Sequence, residues 1–109
     1  MVSTDVNGRR FYVDFDHIHT KSKRSVFYWQ LSDYAKPAKT GTLSVKSFEE
    51  VDCGIPRKLR ILAINFYPQP MAQGDLRKMI NKPTEWLYPQ PGTSGETVLK
   101  TVCPLAEKK

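Results

Sequence analysis

The sequence predicts an α+β domain: an antiparallel meander sheet of about six strands, with one C-terminal helix across a face and a disulfide to tether it. Three observations point there. Apolar residues alternate with polar ones through the first half of the chain. The segments between the alternating runs are short and rich in turn formers. The last stretch then changes to a helical period and ends on Cys103, whose only possible partner within the chain is Cys53. At 109 residues the chain has the size of a single core, so one domain over 1–109 is expected, with 1–8 and 105–109 as tails.

The first strand is predicted in "RRFYVDFD", where Phe11, Val13 and Phe15 alternate with Tyr12, Asp14 and Asp16. In "SVFYWQLSDY", Phe27, Trp29 and Leu31 share a face, with Tyr28, Gln30 and Ser32 opposite; Phe27 and Trp29 are expected as core or half-core residues. In "TLSVKSFEEVDC", Leu43, Val45, Val51 and Cys53 share a parity and Lys46, Glu50 and Asp52 face away. "HIHTKSK", "AKPAKTG" and "CGIP" are the turns between them. The next strand, "RKLRILAINFY", carries Leu59, Ile61 and Ala63 on one parity and Leu62, Ile64 and Phe66 on the other. A middle that is apolar on both sides predicts a central strand covered above and below.

Residues 68–93 hold five of the eight prolines, so no regular element runs long there. "GDLRKMI" reads as a helical turn or two capped by Asp75, and "EWLY" as a short strand. In "PGTSGETVLKTVC", Thr93 stands three residues before Glu96 as in a capping box. Val98, Leu99, Val102 and Cys103 then form one apolar stripe at helical spacing. Pro104 is expected to stop the helix.

Cys53 lies on the apolar parity of its strand and Cys103 on the apolar stripe of the helix. A helix laid across the sheet would therefore bring the two thiols together. Such a bond would hold a short helix that is marginal alone. An even cysteine count in a small domain fits an oxidising compartment; the alternative is two buried free thiols in a cytoplasmic protein.

The net charge of +6 raises nucleic acid, anionic membrane and acidic polysaccharide as partners. The basic residues are scattered ("KSKR" at 21–24, "RKLR" at 57–60), which reads as a solvated surface. No apolar run is long enough to span a membrane as a helix, and "MVSTDVNGRR" is polar, so no signal segment opens the chain. "DFDHIH" gathers two carboxylates and two imidazoles, too few ligands for a zinc or copper site once the cysteines pair, so it reads as a strand entering a polar turn. No Gly-x-Ser-x-Gly elbow accompanies the histidines. "PGTSGET" lacks the P-loop lysine and reads as a helix cap. Asp14, Asp16, Glu49 and Glu50 are read as strand-exterior carboxylates. No catalytic constellation, cofactor or metal site is expected. The five tyrosines and two tryptophans are the better lead, because interfaces favour aromatic and arginine side chains. Arg57, Lys58 and Arg60, beside the hairpin corner, are the expected contacts for an acidic ligand.

The succession "FYVDFDHI", "SDY", "GTLSVKSFEEVDC", "RKLRIL", "YPQPM" and "EWLYPQPGTSGETVLKTVC" resembles the surface-adhesin protein E family of Gram-negative bacteria, from about residue 8 to Cys103. The most specific parts are Tyr12-Val13-Asp14 with Asp16, Lys46-Ser47 ahead of Asp52-Cys53, and Trp86 and Pro91-Gly92 ahead of the last cysteine. The resemblance implies a six-stranded sheet with a C-terminal helix fastened by a disulfide. It implies an exported protein of the periplasm or cell surface whose signal peptide has been removed. It also implies adhesion to host matrix or plasma proteins such as vitronectin, laminin and plasminogen. The alternative is a periplasmic or envelope structural protein with no host ligand. A nucleic-acid binder would need a reducing cytoplasm and free thiols, and is not expected. An exposed sheet edge would let a second copy pair as a homodimer.

Overall fold

The alternation in residues 25–33 and 44–52 has the expected outcome: two nine-residue strands paired antiparallel along their whole length. The computed structural model describes residues 2–5, 7–22, 24–39 and 41–107. Among these, seven strands form one antiparallel sheet: β1 (Ser3–Thr4), β2 (Arg10–Val13), β3 (His19–Thr20), β4 (Ser25–Asp33), β5 (Ser44–Asp52), β6 (Lys58–Tyr67) and β7 (Lys78–Ile80). Their order is β1-β2-β4-β5-β6-β7, with β3 also paired to β4. Helix α1 (Ser94–Glu107) crosses one face. Ser3–Thr4 and the last helical residues thus fall in segments expected as tails. Met1, Val6, Lys108 and Lys109 of those segments, and Lys23 of the basic cluster, lie outside the described residues.

The register fixes the faces. Val26 lies opposite Val51 and Val51 opposite Leu59, while Tyr28 lies opposite Glu49 and Glu49 opposite Ile61. With Val13, the valines, Leu59 and Tyr28 meet Val98, Leu99, Val102 and Cys103 of the helix, whose predicted stripe is buried throughout. Of the two faces of β4, that of Val26 and Tyr28 meets the helix, and Phe27 and Trp29, expected as core or half-core, take second place. Cys53 shares the parity of Val51, so bonding to Cys103 brings the helix down on the Val26–Tyr28 face. Phe27 and Trp29 remain half-buried on the other.

The Cys53–Cys103 bond is present, with Cα atoms 5.7 Å apart, and no described cysteine is free. Closing a loop of fifty residues is worth about 4 kcal/mol in the chain-entropy model.

Four local expectations change. In β6 the register shifts: Phe48 pairs with Ala63 but Glu49 pairs with Ile61. Leu62 is therefore an extra residue, a β-bulge that re-phases the strand. Leu59, Ile61, Ile64 and Phe66 come to share the helix-bearing face, instead of splitting between two.

β2 stops at Val13 because the Asp14 side chain accepts the Asp16 amide at 3.2 Å, turning 15–17 into a 3-10 turn. Phe15 is left half exposed. β3 then resumes along β4, so this edge is one interrupted strand.

Residues 78–80 make a strand and not the helical turn read in "GDLRKMI". The open backbone edge of β6 at 64–66 captures them, preceded by Arg77 N–H donating to Phe66 C=O at 2.9 Å. "EWLY" does extend alongside β6, with Leu87 bridged to Leu59.

The helix continues through Pro104 to Glu107. Proline deletes the amide that would bond the carbonyl four residues upstream and crowds that carbonyl, so the last turn continues with one helical bond fewer. At the other end Thr93 Oγ1 accepts the Glu96 amide at 3.3 Å. Glu96 Oε1 reaches back to the Gly92 amide at 3.1 Å, one residue before the usual capping-box donor.

Candidate binding face

The sheet face away from the helix carries the features that suit a binding surface. On β4 and β5, alternate residues bring Phe27, Trp29 and Phe48 into a continuous aromatic strip. Phe27 stacks on Phe48 with centroids 6.2 Å apart, Trp29 meets Phe48 at 5.2 Å, and His19 of β3 adds to the end at 6.2 Å from Phe27. Such ring pairs are favourable beyond their area.

Both tryptophans of the chain carry a cation on this face. Lys46 Nζ lies 5.2 Å from the Trp29 ring centre. Lys58 Nζ and the Arg60 guanidinium lie 4.7 Å and 4.8 Å from that of Trp86. Trp86 is placed there by the 84–87 segment: Thr84 N–H donates to Ile61 C=O at 2.9 Å and Leu87 N–H to Leu59 C=O at 2.7 Å.

At one end the face is strapped by the Pro70–Ala72 turn. Buried Asp33 accepts the Met71 amide on Oδ1 at 2.9 Å and the Arg10 guanidinium on Oδ2 at 2.8 Å. Ser44, also buried, donates its hydroxyl to Gln69 C=O at 2.6 Å and accepts the Ala72 amide at 2.8 Å. Met71 and Ala72 both adopt φ 57°, a left-handed conformation unfavourable for side chains with Cβ. The bonds to their two amides, with the Ser44–Gln69 bond beside them, hold them there. Between the strap and the sheet lies a cleft of about 220 Å³, its walls including Tyr12, Trp29, Leu31, Lys46 and Met71.

Arg60 pairs with Glu50 at 2.7 Å, Arg24 with Asp52 at 3.4 Å and Arg10 with Asp33 at 2.8 Å. Lys46 and Lys58 have no carboxylate partner among the described residues and rest on indoles instead.

Of the basic residues singled out in the sequence, the structure joins Lys58 and Arg60 at Trp86. It sends Arg57 elsewhere, into a cleft of about 310 Å³ beside the helix with Tyr88, Glu96 and Lys100. Lys46 was passed over. Its signal was the parity it shares with Trp29's neighbour Phe48, read only as "facing away". The histidines diverge: His17 Nδ1 is 2.9 Å from Asp14 Oδ2 within the turn, while His19 joins the aromatic strip.

Glu49, expected as an exterior carboxylate, is an interior one. Its oxygens accept the Tyr28 hydroxyl at 2.9 Å and the Ser47 hydroxyl at 2.7 Å. Burial pushes its carboxyl above the usual range, against the two hydrogen bonds, and pushes the Tyr28 phenol well up, with the neighbouring Glu49 charge adding to it. Its odd parity with Val45 and Val51 was the overlooked sign.

No helix among the described residues is long and apolar enough to cross a membrane. A cleft of about 600 Å³ between β1 and the start of the helix is lined by small polar residues and Phe11, with Ser3 and Ser94 hydrogen-bonded at 2.9 Å.

A family model described as surface-adhesin protein E matches residues 1–104. No curated protein matches the chain. Among solved structures, Haemophilus influenzae protein E superimposes with a TM-score of 0.75, covering 99% of this chain and 85% of that one. At 18% identity this is a likeness of fold. The family match over nearly all of its length and the disulfide-clasped helix on an antiparallel sheet agree: the chain belongs to the surface-adhesin protein E family.

Proposed function

We propose that this domain is an exported, non-catalytic, adhesin-like binding module of the Gram-negative cell surface that engages host matrix or plasma proteins. Family membership supports the adhesin-like class and export. The observation that carries the binding role is the uncovered sheet face, where aromatic rings stand beside cations with no helix over them. Aromatic anchors on a rigid sheet, flanked by charge, are what protein interfaces use. Lys58 and Arg60 are the proposed contacts there; Arg57, beside the helix, reaches only a ligand that wraps around the sheet edge. The outer edge of β7 offers backbone groups for pairing with a second copy.

The test is saturable binding of the oxidised domain to immobilised vitronectin, laminin and plasminogen. Binding to at least one is expected. Absence of binding to all three, with recovery of the domain in a stable complex with a cell-envelope component, would replace this reading with that of an envelope structural protein.

A further inference from the structure

We propose that the diagonal between the Lys46–Trp29 and Lys58–Trp86 pairs docks an extended acidic segment of a protein partner. The inference deepens the protein-binding reading and rests on it. Three observations carry it.

The first is charge. On this face the carboxylates of Glu50, Asp52 and Asp33 are each matched to an arginine, leaving Lys46 and Lys58 uncompensated among the described residues. The complementary surface is negative. The second is pre-organisation. Each lysine is held over an indole, so less side-chain freedom is lost when a carboxylate arrives than for a free lysine. Each site then offers a cation and an aromatic edge together, the pairing that accepts an acidic residue with an apolar neighbour.

The third is spacing. Trp29 sits on β4 in line with Phe48 and Ala63, whereas Trp86 lies one strand beyond β6 near residue 60. With strands about 4.8 Å apart and a rise of about 3.3 Å per residue, the two sites are roughly 15–20 Å from each other. An extended chain covers that in roughly five residues. Because its side chains alternate, the carboxylates facing the sheet fall four or six positions apart. Phe48, beside Trp29 on β5, receives an apolar side chain along the way.

The probe is a dye-labelled synthetic peptide of extended, turn-free sequence with glutamates at such spacing, compared with its glutamine counterpart. Binding to the oxidised domain is followed by anisotropy and by tryptophan fluorescence. The acidic peptide is expected to bind with affinity that falls as salt is raised, and the glutamine peptide not to bind. The Lys46→Gln/Lys58→Gln double variant is expected to lose at least about fivefold in affinity, on the scale of two exposed charge contacts. Arg57→Gln is expected to change nothing. Circular dichroism and melting check that the variants keep the fold.

Unchanged peptide affinity in the double variant overturns the proposal. So does tighter binding of a sulfated oligosaccharide than of the peptide, which would make the face a polysaccharide site. A dimer that occludes Trp29 also overturns it. If vitronectin, laminin or plasminogen binds the double variant as well as the parent, the acidic-segment site fails and the adhesin reading stands. If the peptide binds as described and none of those proteins does, the host-adhesion reading fails and the site stands.

Discussion

Tyr28 and Glu49 face each other across β4 and β5, and the phenol donates its proton to the carboxylate at 2.9 Å inside the core-bearing face. The other carboxylate oxygen takes the Ser47 hydroxyl, and no basic side chain of the described residues joins them. A buried carboxyl satisfied by neutral donors is tolerated, but its ionised form is penalised by lost hydration.

The pH dependence follows from the raised carboxyl of Glu49. A group titrating higher in the fold than in the unfolded chain contributes stability that is complete below the unfolded value. That contribution is lost as pH rises through the folded value. This site therefore strengthens the fold on mild acidification from neutrality. Glu49→Gln, whose amide can still bond Ser47 and Tyr28, is expected to melt higher than the parent at neutral pH and to flatten this part of the profile. Thermal melts of both proteins between neutral and mildly acidic pH check it. Tyr28→Phe, which strands a buried acceptor, should lose about 2 kcal/mol.

Reduction, or the Cys53→Ser/Cys103→Ser pair, is expected to remove about 4 kcal/mol of stability. The first element to loosen should be the helix, since Leu99, Val102 and Cys103 bury most of what holds it. Chemical denaturation with and without reductant gives the magnitude. Amide exchange along 94–107 shows whether the helix opens ahead of the sheet.

Asp33→Ala is expected to release the strap, because the Met71 amide and the Arg10 guanidinium lose their common acceptor. The loss should be about 2–3 kcal/mol, with new protease cleavage near 70–74. Limited proteolysis followed by mass spectrometry reads it directly.

Ala72→Gly acts in the opposite direction. Ala72 sits at φ 57°, a conformation that costs about 1 kcal/mol or more with a Cβ and nothing in glycine. Part of the gain is offset by the freer unfolded chain. A midpoint unchanged or raised by up to about 1 kcal/mol in denaturation is expected, where a loop glycine ordinarily destabilises.

The strands, the clasp and the capped helix were legible because each rests on a local period or a local side-chain partner. The stripe Val98, Leu99, Val102, Cys103 needs only its own spacing to declare a buried side. What stayed hidden depends on choices between neighbours. Both parities of β4 are apolar, and only the position of Cys53 decides that Tyr28 goes in and Trp29 out. The bulge at Leu62 has no signature in a run of apolar residues, so the assignment of Ile64 and Phe66 reversed with it. For the candidate face, Lys58 and Arg60 could be singled out from a basic cluster in sequence. Lys46 joins Trp29 only through the pairing of β4 with β5.

The covalent link between residues 53 and 103 also orders events in time. Four of the interior side chains arrive with the helix, so a nascent chain emerging amino end first exposes a lidless sheet until its last segment appears. Throughout that interval the thiol at position 53 has no mate among residues 1–102. Among residues 1–109 it has no mate other than Cys103, so a thiol oxidised before Cys103 emerges is left to pair outside this domain.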